Sequence, residues 1–452
     1  MSTALLHAHP QFRLVAIPNT LYDFCARVTK EIALAATITE KILANAAGRE
    51  QVTPGEIITA KVDAVIGHDI TTAAFRELEK MHVDKVFDRE KVYFTADHFV
   101  PSPTLDAAAQ LKDLSAYIEK YEIKHWFAQG RGGICHAIFP EQGLIRPGMV
   151  VVGSDSHTCT FGALGAFSSG LGATDVAAAM ALGELWLKVP SSIKFSFSGA
   201  LPAMVTGKDM ILYTIGRIGV DGARYKAMEF CGETIRNLPI DDRFTICNMA
   251  VEAGAKNGII EADHVARAYL EGRTRTPFLT FSSDQDAAYE EEYCYDVTRL
   301  QPMVAQPFSP ANVAPVCEIP GVKLHQVVIG SCTNGRISDL RAAARILRGK
   351  RAAPGVRLLV LPATQQIYLQ AVKEGLIEIF VEAGAMISPP VCGPCLGGHL
   401  GLLADGEVAI STTNRNFVGR MGHKNSRVYL SSPYTAAASA VAGYIIDPRQ
   451  VS

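Results

Sequence analysis

What most constrains this chain is where its short apolar runs end. Val92 to Ala96, Met149 to Gly153 and Gln326 to Gly330 each have the length and continuous apolarity of a buried strand. The first is followed by Asp97-His98, the second by Asp155-Ser156-His157, and the third by Ser331-Cys332-Thr333-Asn334. Helical patterns over 106–124, 174–187, 207–218 and 338–347 alternate with these and with further strands at 62–66, 193–197 and 358–361. Such alternation predicts an α/β fold, in which polar residues at strand ends face a ligand crevice.

Regular structure is expected to start at Thr37-Ile38-Thr39-Glu40, which has capping-box form, with Gly48 as a C-terminal stop. Three units follow: 37–190, 191–310 and 311–452. The acidic, Tyr-rich stretch 281–307, with Pro302, Pro307 and Pro310 behind it, is read as an irregular linker. Residues 1–36 form an N-terminal extension with no assigned role.

Composition narrows the function classes. Of 452 residues, 48% are hydrophobic and 19% charged, which excludes a disordered chain. Lys plus Arg number 43 against 45 Asp plus Glu, so no basic surplus favours a nucleic-acid backbone. The longest weakly polar region, Leu164 to Leu187, contains Asp175 and Glu184 and is read as buried loop and helix, not as a membrane span. The N-terminus lacks the pattern of a secretory signal, so the ten Cys are expected to be reduced and the chain cytoplasmic.

Most of those Cys should pack as small hydrophobes. Cys392-Gly393-Pro394-Cys395 is a tight knuckle that lets two sulfurs reach one metal centre. Cys332 sits where a strand turns into a helix, a place where backbone N–H groups favour a thiolate. Three such ligands are one short of saturating a [4Fe–4S] cluster and would leave one iron open as a Lewis acid. Spacing alone equally allows a zinc site or a redox dithiol. Cys159 fits no ligand spacing and is read as packing.

Asp97-His98, Cys135-His136 and Asp155-Ser156-His157 offer the carboxylate–imidazole pairs that proton transfer requires. Asn248 and Glu252, four apart, share a face if their segment is helical. His68-Asp69 is a candidate substrate-side contact, with Asp69 as the binding residue. Arg415 and Arg420, in an Asn- and Gly-bearing loop, have the chemistry to clamp carboxylates.

Together SDSHT, ICNMAVEAGA, GSCTN, CGPCLGG and TNRNFVGR, in this order, resemble the aconitase superfamily over about 37–449. Within it the nearest branch is the large subunit of the 3-isopropylmalate dehydratases (isopropylmalate isomerases). The resemblance implies three similar α/β/α domains around a central iron–sulfur cluster. It implies a [4Fe–4S] cluster on Cys332, Cys392 and Cys395, one per subunit, with one iron not held by cysteine. It places Asp97, His98, His136, Asp155, His157 and Glu252 in catalysis, and Asp69, Ser156, Asn248, Arg415 and Arg420 at the substrate. His98 with Asp97 would handle the proton of a departing hydroxyl. His136 with Asp155, and His157 with Glu252, would tune the water or hydroxide handled at iron.

Relatives that act alone carry a swivelling fourth domain with further substrate-binding groups; this chain is expected to lack it. A small swivel-domain subunit of roughly one domain, 160–200 residues, is the expected partner. The implied reaction is a hydro-lyase isomerisation of 2-isopropylmalate to 3-isopropylmalate in leucine biosynthesis. Rivals are a homoaconitase large subunit, a methylmalate (citraconate) or dimethylmalate hydratase and, more remotely, an iron-sensing RNA-binding protein.

Overall fold

A computed structural model of the chain describes residues 35–319 and 321–451. Most of the 1–36 extension lies outside the described residues.

The first sheet has five parallel strands, in the order His125–Phe127, Val92–Thr95, Ala64–His68, Val150–Gly153, Phe167–Gly170. The three inner strands are buried along their whole length, which is why they read as unbroken apolar runs. The sheet's carboxyl-terminal edge delivers His68, Asp97-His98 and Asp155 side by side, as the strand-end pattern predicts.

A second sheet has four parallel strands: Asn257–Ile259, Ala227–Cys231, Ser192–Ser198 and Glu291–Asp296. The third has seven, from Val313–Pro315 and Met303–Ala305 through Arg427–Ser431, Val408–Ser411, Gln326–Gly330 and Arg357–Leu361 to Ala385–Ile387. Its first two strands run antiparallel and the rest are parallel. One apolar core runs continuously through all three sheets, from Ile66 and Val151 through Phe195 and Met228 to Val328 and Ala409.

The Thr37 cap forms as expected: its hydroxyl accepts from Glu40 N, Glu40 reaches back to Thr37 N at 2.6 Å, and Gly48 closes the helix Ile38–Ala47 in the left-handed region at φ 66°. Two expectations need correction. The helix expected over 174–187 ends at Leu182, where Gly183 takes φ 70°. Beyond it Glu184–Lys188 is a strand, paired antiparallel with Ile57–Lys61. The stretch 281–307 is not wholly irregular. Glu291–Asp296 is an edge strand whose Tyr293 ring stacks on Phe195 at 5.2 Å, while its acids alternate toward solvent. Met303–Ala305 already belongs to the third sheet, which therefore takes strands from both sides of position 310.

Candidate active site

The site forms where the carboxyl ends of the first and third sheets meet the helix Ile240–Asn248 and the turn Met249–Ala253. The Cys332 thiol is aimed by its backbone. Gly330 has φ 132°, and a Cβ there would meet the Leu361 carbonyl oxygen at 2.1 Å. Ser331 follows at φ 69°, a left-handed conformation that costs a non-glycine residue about 1–3 kcal/mol and persists where surrounding packing enforces it. The helical turn Ser331–Asn334 then carries Cys332. Opposite it, Gly393-Pro394 opens the single turn Gly393–Leu396, which carries Cys395 and has Cys392 as its N-cap.

A cavity of about 540 Å³ takes in ten of the fourteen expected site residues. They are His98, His136, Asp155, Ser156, His157, Cys332, Cys392, Cys395, Arg415 and Arg420. The other four stand one layer behind. Asp97 Oδ1 lies 2.6 Å from His98 Nδ1, and its Oδ2 accepts from Cys135 N at 2.7 Å. Glu252 Oε1 lies 2.7 Å from His157 Nε2 and accepts from Arg415 Nε at 2.7 Å. Asn248, expected at the substrate, donates Nδ2 to Cys332 Sγ at 3.5 Å and to Thr160 Oγ1 at 2.8 Å.

Asp69 is not on the cavity wall either. Its carboxylate accepts the backbone N–H groups of Asp97 (3.2 Å), His98 (2.9 Å) and Phe99 (2.6 Å), so it fixes the loop that aims His98. The neighbouring His68 lines the cavity instead. Its ring is 4.2 Å from that of His98, and its Nε2 is buried without a hydrogen-bond partner. The His68-Asp69 pair was legible in the sequence; which of the two faces the crevice was not. Cys135 and Lys256, given no role from sequence, also line the cavity. Cys159 packs as expected, its thiol donating to the Asn248 carbonyl at 3.5 Å.

The imidazoles and carboxylates polarise one another. Burial works against the charge on His98, but Asp97 and Asp69 more than offset it and hold the imidazole well above its usual range. Burial and Arg415 oppose protonation of His157, yet Asp155 and Glu252 raise it. Asp155 is disfavoured by burial and rescued by His136 (Oδ1 to Nε2, 2.9 Å) and His157, which hold it well below the carboxylate range. His68 is lowered, by burial and then by the field of His98. The site thus favours charge on the His98 imidazole and disfavours it on the neighbouring His68. His136 Nδ1 and Arg420 Nε, like His68 Nε2, are buried polar atoms without hydrogen-bond partners.

The match to the aconitase family (aconitate hydratase) spans residues 40–443, and the chain belongs to that family. Its relatives include the 3-isopropylmalate dehydratase large subunits of Thermodesulfovibrio yellowstonii and Heliobacterium modesticaldum. The first is 58% identical and the second 56%, each over 92% of this chain and 99% of the relative. A solved aconitase X from Thermococcus kodakaraensis, in its holo form, is a distant likeness at 12% identity and TM-score 0.47, covering 84% of this chain and 89% of that one.

The family implies a [4Fe–4S] cluster, and the donor set fits one. The three thiols are free, buried and line one cavity. Amide donors reach the sulfur of Cys332 from Asn414 at 3.3 Å and from Asn248, and Cys395 Sγ donates to Asn414 Oδ1 at 3.5 Å. Sulfurs with polar second partners are the environment such clusters use.

Proposed function

We propose that this chain is the cluster-bearing large subunit of a 3-isopropylmalate dehydratase. It would interconvert 2-isopropylmalate and 3-isopropylmalate by dehydration and rehydration, in leucine biosynthesis and in the cytoplasm. The observation that supports this best is the convergence of three paired imidazoles and three thiols on one cavity. The large subunit divides, on this view, into units of about 37–190, 191–310 and 311–452, with the strand Met303–Ala305 crossing into the third sheet, and residues 1–36 carry no assigned role.

Cys332, Cys392 and Cys395 would hold one [4Fe–4S] cluster per subunit, leaving one iron without a cysteine ligand. When bound, the cluster supplies Lewis acidity toward the departing hydroxyl. The chain's own residues do the rest. His98, cationic and held at Nδ1 by Asp97, donates a proton from Nε2 to the leaving hydroxyl and takes one back when water returns at the neighbouring carbon. His136 and His157 hold that water through a shared contact with Asp155. Arg415 and Arg420 bind substrate carboxylates and stabilise the charge that builds when the adjacent carbon loses its proton. His68 Nε2 and Ser156 offer further polar contacts to the substrate. The base that removes the carbon-bound proton is assigned to the small swivel-domain subunit, which would also close the cavity.

The test is an anaerobic assay of the chain co-expressed with its small subunit. Isopropylmalate, homocitrate and citramalate are offered in parallel, and the unsaturated intermediate is followed in the ultraviolet. Activity on isopropylmalate alone is expected. A loaded complex active only on homocitrate or citramalate would move the assignment to a homoaconitase or a methylmalate hydratase.

A further inference from the structure

Two buried cations flank the turn that carries Cys332, and the proton chemistry above uses neither. Lys208, in the first turn of the helix Gly207–Ile218, is fully buried. Its Nζ donates to the carbonyl oxygens of Thr412 at 2.8 Å and Thr413 at 2.6 Å, and to Asn334 Oδ1 at 3.4 Å. Those three acceptors use all three ammonium protons. Arg336 is 4% exposed. Its Nη1 donates to the carbonyls of Cys332 at 2.9 Å and Thr333 at 3.4 Å, and its Nη2 to that of His136 at 3.1 Å.

Neither cation makes an ion pair with a carboxylate among the described residues. Burial lowers Lys208 to about 7, and the fields of Asp339, Cys332 and Cys395 work to keep its charge. Asp339 spends its oxygens on Asn334 Nδ2 and Arg336 N, and burial pushes it up to about 8. A charge removed from water is costly unless an opposite charge or a full set of hydrogen bonds compensates it. Here the hydrogen bonds are made and the opposite charge is missing.

The segments these cations grip show where that charge belongs. Thr412 and Thr413 lead directly into Asn414, whose amide donates to Cys332 Sγ, and then into Arg415. Asn334 and two of the three carbonyls held by Arg336, those of Cys332 and Thr333, lie in the Cys332 turn itself. The three thiols become thiolates when they hold iron, concentrating negative charge between these groups.

We propose that Lys208 and Arg336 are the resident counter-charge of the thiolate-held cluster. In addition, Lys208 is the positioning residue that ties the Cys332 turn to the 412–415 loop. This rests on the cluster assignment made above.

Lys208→Gln keeps a donor and removes the charge; Lys208→Met removes both. The full chain and each variant are reconstituted anaerobically with iron and sulfide. Four quantities are then measured: iron and sulfide per chain, the rate of iron loss to a chelator, the midpoint potential of the cluster by EPR titration, and the thermal unfolding of each protein. Lys208→Gln is expected to fold, to lose iron about tenfold faster, and to show a lower midpoint potential, because removing nearby positive charge disfavours the added electron. Lys208→Met should move further in the same direction. Arg336→Gln gives an independent arm, and its potential must fall as well. A loaded Lys208→Gln protein with unchanged potential and unchanged iron loss would overturn the inference while leaving the cluster in place. Failure of the unsubstituted chain to take up iron and sulfide would instead overturn the cluster assignment, and this inference with it.

Discussion

The two walls of the cleft differ in where their electrostatics close. On the wall from the first sheet, the cleft imidazoles His98, His136 and His157 each have a carboxylate within 2.9 Å, and Asp69 braces the loop behind them through three backbone N–H groups. Each of these three imidazoles therefore has its carboxylate partner within the chain. Among the buried ring nitrogens lining the cavity, only His136 Nδ1 and His68 Nε2 are left without hydrogen-bond partners among the described residues. On the wall from the third sheet, Cys332 has amide and hydroxyl partners, and the cations beneath it have carbonyl and amide oxygens and, for Arg336, the face of the Phe244 ring at 4.4 Å, with no carboxylate ion pair among the described residues. On the proposed reading, the contrast separates two requirements of the reaction: the geometry for proton transfer would be stored in the fold, whereas activation of the hydroxyl would depend on what the thiols hold.

The sharpest way to break this contrast is to remove a thiol. Cys332→Ser should abolish dehydratase activity and cut iron content by about tenfold or more. The His98–Asp97 geometry should survive, which the crystal structure of the variant would check. His98→Asn is the converse. It should lower kcat by about 10²–10⁴-fold at full iron and sulfide content; a variant that also lost its cluster would show that the two walls are not separable. Asp69→Ala probes the bracing, and leaves three buried N–H groups without their acceptor. A loss of about 1–3 kcal/mol in denaturant unfolding is expected, because buried donors are left unsatisfied, with KM changing less than kcat.

The pH dependence should divide along the same line. The folded-state value of His98 is raised above 6.5, so its stabilising contribution is complete below 6.5 and lost as pH rises through the folded value. As the proton donor it should give kcat an alkaline limb over that same rise. Asp155 is depressed below 3.8, so its contribution is present above 3.8 and lost as pH falls through its lower folded value. Unfolding free energies measured from about pH 2 to 9 should follow these signs, and Asp97→Asn should move the alkaline limb to lower pH. The smallest effect is expected at Cys159. Cys159→Ser should cost about 1 kcal/mol or less and leave iron content unchanged, since this thiol donates to the backbone carbonyls of Ser156 and Asn248 and does not line the cavity.

What could be read ahead of the structure follows from how local each signal is. The Thr37 capping box, the MVVVG strand and the turn after Gly330 are short-range patterns, and each forms where its residues predict. The strand Glu291–Asp296 was hidden because its period-two alternation of Tyr and acid reads as charge before it reads as an edge. Glu184–Lys188 was absorbed into a helix because nothing local announces a partner some 125 residues upstream, at Ile57–Lys61. Within the site, the residue types were legible and their facing was not. Adjacent side chains at a strand end point opposite ways, so His68 lines the cavity and Asp69 turns behind it. Lys208 carried no signal at all, because its acceptors are carbonyl and amide oxygens contributed from the far end of the chain.

The most direct measurement is Mössbauer spectroscopy of the chain loaded with enriched iron, bound to its small subunit, with and without isopropylmalate. Three cysteine ligands on a four-iron cluster require that one iron site, and no other, changes its spectrum on adding isopropylmalate. A cluster whose four iron sites are all indifferent to isopropylmalate would contradict a three-thiolate centre that activates the substrate.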